Sequence, residues 1–251
     1  GPANREGRWL ASNKPWKKSW NRQGDGVNNC TDLAAEYAAE RITLEGNENH
    51  LIAQGLCPTF WNVMVLRNPV ERWMSHVSML SMWFPKKDTK KHRRKNHWTW
   101  HLTSPKVVFR NIPEASNNYF IRCLLGEDVY ELPFGNISSI HLEKAKRVLD
   151  RFDVLLIKDK PTQLNNDVRV MLGWKVDDQD IGRRGSTEAL KRRMKWTKAD
   201  WEEVEAANAL DFELWQYGTA LHCIDSRVFM HPAFSKVSAT KERGKCGYLS
   251  K

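Results

Sequence analysis

The chain has no apolar run approaching roughly eighteen residues and no signal-like hydrophobic stretch, so no segment reads as a bilayer span. Its five cysteines, Cys30, Cys57, Cys123, Cys223 and Cys246, include neither a CxxC pair nor a Cys/His spacing of the kind that holds zinc. No structural metal is therefore expected. Cys57 and Cys123 fall in apolar contexts and are expected to be core thiols, whereas Cys246, in a polar tail, either pairs or stays free; the redox compartment is left open. Internal repeats and low-complexity tracts are missing, and no composition break across 251 residues calls for a second core. Acidic side chains are in deficit, 30 Asp and Glu against 40 Lys and Arg. A net charge of +10 points to anionic partners, namely a phosphorylated cofactor, an acidic glycan or nucleic acid.

Residues 1–29 are polar, basic and rich in Trp, with no hydrophobic period, and read as an N-terminal arm. Gly1-Pro2 resembles a protease scar, which places the natural N-terminus upstream. Gly24 and Gly26 beside Lys17, Lys18 and Ser19 do not form a phosphate loop, because no strand precedes them. Residues 30–251 read as a single domain. Two N-glycosylation sequons, at Asn29 and Asn136, are about as many as chance supplies and are weak pointers to a secretory lumen.

The stretch from Asn62 to Leu80, NVMVLRNPVERWMSHVSML, organises the rest. Val63 to Leu66 is an unbroken apolar run, as expected of a strand buried on both faces of a parallel sheet. Asn68 is a good N-cap, Pro69 suits the first helical position, and Glu71 stands where a capping box needs it. Val70, Trp73, Met74, Val77 and Leu80 then recur at helical spacing. A helix N-terminus at the carboxyl end of a parallel strand, with Arg67 just before it, is a suitable anion site.

The phrase LRNPVERWMSHV resembles the 3′-phosphate-binding motif of sulfotransferases, broadly (L/I)R(D/N)PxxRxxSxY, with Val77 in place of the usual aromatic. In that family the first Arg and the Ser hold the 3′-phosphate of 3′-phosphoadenosine 5′-phosphosulfate (PAPS), and the matching positions here are Arg67 and Ser75. The resemblance implies an α/β fold, a short parallel sheet flanked by helices in a P-loop-like nucleotide-binding domain, with a helix-rich C-terminal half. It also implies sulfuryl transfer to an acceptor hydroxyl without a metal. The family's PKxGT/S-like loop, which holds the 5′-phosphosulfate, is not found: it precedes Gly1, or Lys14 to Ser19 is an altered version, or the donor site is lost. In the heparan sulfate 2-O-sulfotransferases a His upstream of the motif is the proposed base. His50 is similarly placed, with Glu45, Glu48 and His76 as substitutes; an imidazole titrates near working pH and suits removal of a hydroxyl proton.

Lys86 to His101 carries seven cations and then Trp98 and Trp100, so it reads as a loop. Lys91, Arg93, Arg94 and the two Trp rings suit an anionic or sugar-like acceptor, and would equally suit single-stranded nucleic acid. The resemblance favours a carbohydrate, and nucleic acid is not expected. NYFIRCLLG, a helix ending at Gly126, resembles a family segment whose Asn and Arg help to build the site. Arg122 is thus a substrate-side candidate against a structural salt bridge. Ser139 to Arg151 is an amphipathic helix with Ile140, Leu142, Ala145, Val148 and Leu149 apolar; FDVLLI is a second buried strand, and Thr162 to Leu172 a helix. Thr197 caps a long helix whose NALDFELWQY phrase resembles the family's closing helix. Basic loops late in the chain contact the adenosine and 3′-phosphate in relatives, which makes Arg183, Arg184 and Arg243 donor-side candidates. A sulfotransferase acting on a small-molecule alcohol, and a non-catalytic relative binding anionic glycan or nucleotide, remain alternatives. The compartment expected is the Golgi lumen if an anchor lies upstream, and otherwise the cytoplasm.

Overall fold

The computed structural model describes residues 30–39, 51, 56–83, 104–159, 161–174 and 187–229. Among these, two short strands pair in parallel, β1 (Val63–Leu66) with β2 (Val154–Ile157), in the register Val63↔Val154 to Leu66↔Ile157. Both are the VMVL and VLLI runs that the sequence marks as strands. Eleven helices accompany them: α1 (Cys30–Ala39), α2 (Pro69–Trp83), α3 (Pro105–Asn111), α4 (Pro113–Ser116), α5 (Tyr119–Leu125), α6 (Glu127–Tyr130), α7 (Ser139–Leu149), α8 (Pro161–Met171), α9 (Thr187–Met194), α10 (Lys198–Ala207) and α11 (Ala209–Phe229). The described residues are thus helix-rich α/β with a short open parallel sheet.

Side chains of a strand alternate between faces, and β2 uses both. Leu155 and Ile157 enter a core with Leu66 of β1 and with Phe120, Ile121, Leu124, Leu142, Leu149 and Leu214 from α5, α7 and α11. Val154 and Leu156 pack on the opposite face against Leu164 and Met171 of α8. β1 departs from the expectation of burial on both faces: Val65 is 45% exposed, because among the described residues β1 has a neighbour on one edge only. α2 presents Trp73, Met74 and Val77 to a separate cluster with Val108, Phe109, Leu190, Met194 and Val204. On α7, Leu142, Ala145 and Leu149 are buried as the period requires, but Ile140 is 66% exposed, on the side of the helix opposite those three.

Two further expectations are corrected. The helix capped by Thr197 does not continue through the NALDFELWQY phrase. It stops at Ala207 because the Asn208 side chain donates to the carbonyls of Val204 and Ser116, and α11 begins afresh. Cys57 is not a core thiol: it is bonded to Cys30, tying α1 to the segment ahead of β1. Cys223 is also disulfide-bonded, while Cys123 is the buried free thiol expected.

Gly218 sets how closely α11 approaches the sheet. A Cβ there would collide with the Leu66 side chain and lie 3.1 Å from Leu149 Cδ2, both fully buried. Gly218→Ala gains about 1 kcal/mol of helix propensity but incurs about 1–3 kcal/mol of overpacking. A net loss, read as a thermal midpoint lower by a few degrees, is expected.

Behind the sheet, His222 of α11 is buried with Nδ1 2.7 Å from the Leu155 carbonyl and Nε2 3.3 Å from Asp167 of α8. Burial pushes the imidazole pKa down, but hydrogen bonding to Asp167, its charge, the Leu155 carbonyl and Asp225 together raise it above the usual value. A histidine with a raised folded pKa stabilises fully below its unfolded value and loses that contribution as pH rises through the folded one. Denaturation of wild type and Asp167→Asn between about pH 6 and pH 9 should show the stability gap shrinking as pH rises. A gap constant across that range would mean that the imidazole is never charged in the fold.

Candidate functional site

The site is built where β1 turns into α2. The Asn68 side-chain oxygen accepts from the amides of Val70 and Glu71 at 3.0 and 3.2 Å, so Asn68 is the cap that the sequence predicts. Glu71 does not complete a capping box. The Asn68 amide instead donates to Asp159, just past β2, at 2.8 Å, and the second Asp159 oxygen accepts from Trp215 Nε1 at 3.0 Å. Burial raises the Asp159 pKa, opposed by these two hydrogen bonds and by the charge of Arg67. One carboxylate thereby clamps the carboxyl ends of both strands to α11. Another consequence concerns anions: Asn68 and Asp159 already satisfy the amides at the start of α2, so an anion here relies on side chains rather than on the open helix terminus.

Glu71 serves elsewhere. It lies 3.2 Å from Arg67 and 3.3 Å from Lys191 of α9, a carboxylate between two cations. Ser75 is half-buried one turn further along α2, and helical spacing sets Glu71 and Ser75 on one face with Arg67 at its head. The two residues matched to the phosphate motif therefore share a face at the carboxyl edge of the sheet. Beside them runs an open groove lined by Asn68, Glu71, Lys191, Glu205, Phe212 and Gln216, among others.

A second polar group lies on the adjacent face of α2, and sequence reasoning passed over its centre. Arg72 stacks over the Tyr119 ring at 4.3 Å and donates through Nη2 to the Ala115 carbonyl at 2.5 Å. Its Nε and Nη1 are buried without a hydrogen-bond partner among the described residues, and burial lowers its pKa. The motif itself carries an Arg at this place, which was the available signal. His76 stands beside it, 6.4 Å from the Tyr119 ring, and burial with the Arg72 charge brings its pKa down to about 4. The imidazole therefore stays neutral at working pH and is a poor match for taking a proton from a hydroxyl. Burial also pushes the Cys123 thiol up to about 12 and the Tyr130 hydroxyl likewise to about 12, so neither is a nucleophile.

Arg122 is not placed for a substrate. It is fully buried and donates to the carbonyls of Asn117, Val129, Tyr130, Leu132 and Pro133 and to the Asn117 side chain. Its guanidinium gathers the chain around α6, and among the described residues it forms no carboxylate ion pair, so a structural salt bridge is not found there either. The remaining candidates, Glu45, Glu48, His50, Lys91, Arg93, Arg94, Trp98, Trp100, Arg183, Arg184 and Arg243, lie outside the described residues. Leu51, next to His50, donates its amide to the Cys123 carbonyl at 2.7 Å. Among the described residues no group of His, Cys, Asp and Glu side chains is arranged to hold a metal, and no helix is long and apolar enough to cross a membrane.

Comparisons of the chain with protein-family models, with curated proteins and with solved structures found no match.

Replacing Arg122 separates structure from binding. Arg122→Met strips several buried carbonyls of their donor, each about 1–3 kcal/mol if left unmade, so a loss of at least about 3 kcal/mol in urea unfolding is expected. Wild-type stability with weakened ligand affinity would instead return Arg122 to the substrate side.

Proposed function

We propose that the chain is a PAPS-dependent O-sulfotransferase with a P-loop-like nucleotide-binding fold, acting on a carbohydrate hydroxyl. The observation that carries this reading is the β1-turn-α2 unit, in which Arg67 and Ser75 share one face at the carboxyl edge of a parallel sheet. Arg67 offers a planar fork of donors and Ser75 a hydroxyl, the chemistry that grips a phosphate; Lys191 adds a second cation across Glu71. Binding an anion there means that Arg67 exchanges or shares Glu71. Such a half-exposed pair is readily opened, because its attraction is screened by solvent.

The donor, when bound, supplies an activated sulfuryl group and a phosphate leaving group. Arg67 and Ser75 fix its register through the 3′-phosphate, the positional part of catalysis. Arg183, Arg184 and Arg243 complete the adenosine and 3′-phosphate contacts. His50 accepts the proton of the acceptor hydroxyl, a role for which His76 is unsuited by its low basicity. Lys91, Arg93 and Arg94 draw in an acidic sugar chain, and Trp98 and Trp100 stack on its rings. A Golgi-lumenal setting accords with the disulfides at Cys30, Cys57 and Cys223.

Calorimetric titration with 3′-phosphoadenosine 5′-phosphate, with AMP as the control lacking the 3′-phosphate, tests the reading directly. Tight binding of the bisphosphate over AMP is expected. Arg67→Ala should raise its dissociation constant roughly ten- to a hundred-fold, the about 1.5–3 kcal/mol of a charged hydrogen bond. Equal affinity for the two nucleotides, or an unchanged constant in the variant, would remove the assignment.

A further inference from the structure

The segment between α6 and α7 holds a site of a different kind. Asn136-Ile137-Ser138 satisfies the Asn-X-Ser/Thr pattern, and the fold presents it in an unusually well-defined way. Pro133 to Asn136 is a tight turn closed by the Asn136 amide donating to the Pro133 carbonyl at 3.1 Å. Gly135 sits at its third position with φ +86°, where a side chain would be strained and a β-turn of this hand asks for glycine. The turn is fastened from beneath: Arg122 Nη2 donates to the Pro133 carbonyl, and the Gly135 amide donates to the Asn117 side chain at 3.0 Å. On either side apolar residues fix it, Phe134 stacked on Phe109 at 4.9 Å and Ile137 buried in the main core. Asn136 and Ser138, between and beyond these anchors, are exposed.

The cysteines supply an independent observation. Cys30 is joined to Cys57, and Cys223 is disulfide-bonded. Disulfides of this kind form where proteins enter an oxidising compartment, which is also where asparagine glycosylation takes place. A sequon on a buried strand or inside a helix would be silent; this one projects from a surface turn where a bulky, hydrated group displaces no packing.

We propose that Asn136 is an N-glycosylation site, modified by a lipid-linked oligosaccharide pyrophosphate in the secretory lumen. In that step Asn136 Nδ2 forms a bond to the anomeric carbon of the first sugar and gives up one proton to a base of the transferase. The anomeric C–O bond to pyrophosphate breaks, and its electron pair leaves with the pyrophosphate. Ser138 supplies the hydroxyl that the pattern requires. In the folded chain the same hydroxyl lies 2.9 Å from His141 Nδ1 at the start of α7, so glycan addition and helix capping use one residue at different times. This site stands apart from the sulfotransferase reading and does not depend on it.

The test is expression of the full chain behind a cleavable secretory leader in animal cells. Peptide mapping follows release of glycans by an amidase in heavy-oxygen water, on both secreted and cell-associated protein. Leader cleavage marks the molecules that entered the lumen. Among these, Asn136 is expected to carry the heavy label; Asn136→Gln should lose one glycan's mass, and Ser138→Thr should retain it. Asn136→Gln leaves the buried anchors untouched, so loss of the glycan without loss of folding is the expected pair of results. Leader-cleaved protein with the Cys30–Cys57 bond formed and Asn136 unmodified would overturn the proposal. So would an Asn136→Gln chain whose total glycan mass equals that of wild type, with the Asn29 peptide, which carries the other sequon, followed separately.

Discussion

Two helices in this molecule cap each other, and the architecture depends on that exchange. Asp211, in the first turn of α11, accepts from the amides of Phe120 and Ile121 at 2.8 and 3.1 Å, satisfying the start of α5. Asn118, in the left-handed region at φ +49°, returns the favour through its side chain, which accepts from the Asp211 amide at 3.0 Å. Asn208 adds a third strand to the knot by accepting from the Asn118 amide and donating to the Ser116 carbonyl. All of these groups are buried, so every unmade bond would carry its full desolvation penalty. Burial raises the Asp211 pKa to about 6, held back by the two amides and by Arg72 and Arg122. The knot fixes α5 against α11, α5 carries Tyr119 under Arg72, and Arg72 belongs to the helix that bears Ser75.

Polar chemistry on α2 is divided between two faces with opposite characters. One face has Arg67, Glu71 and Ser75, half-exposed, with a carboxylate that two cations share. The other has Arg72 and His76, desolvated, with a neutral imidazole beside a buried guanidinium. The first can exchange partners with a solute at little cost. The second is held in place by burial and by the stacking of Tyr119, and it stiffens the helix that presents the first.

Much of this was legible in the sequence because the signals were local. VMVL and VLLI are short runs of strand formers, and Asn68-Pro69 fixes a helix start through backbone chemistry within three residues. What was illegible was chosen by partners far away. Glu71 has capping-box spacing, but Asp159 takes the Asn68 amide first, and Lys191 and Arg67 draw the carboxylate outward. The continuous helical period through NALDFELWQY conceals a break, because the Asn208 side chain ties the Val204 carbonyl of its own helix to Ser116 and Asn118 far away in sequence. Arg122 looks like a ligand-binding cation until the carbonyls of residues 129 to 133 close over it. Cys57 looks like a core thiol until Cys30 is seen beside it. Of the candidate site, Arg67 was readable from its place just ahead of the helix start and Ser75 from the resemblance to the phosphate motif, whereas Arg72 lay within the same phrase without being singled out.

The distance in sequence between Asn118 and Asp211 has a bearing on how the chain comes to be folded. As the polypeptide emerges during synthesis, the start of α5 waits for an acceptor some ninety residues downstream, and the last fully buried member of the main core, Leu214, arrives with it. Contacts so far apart are costly in loop-closure entropy and are made late. The Cys30–Cys57 loop, by contrast, closes over a separation of 27 residues and can form while the remainder is still being made. The covalent tether can therefore close before the core does, and Leu66 meets its close neighbour Gly218 only once α11 has been made.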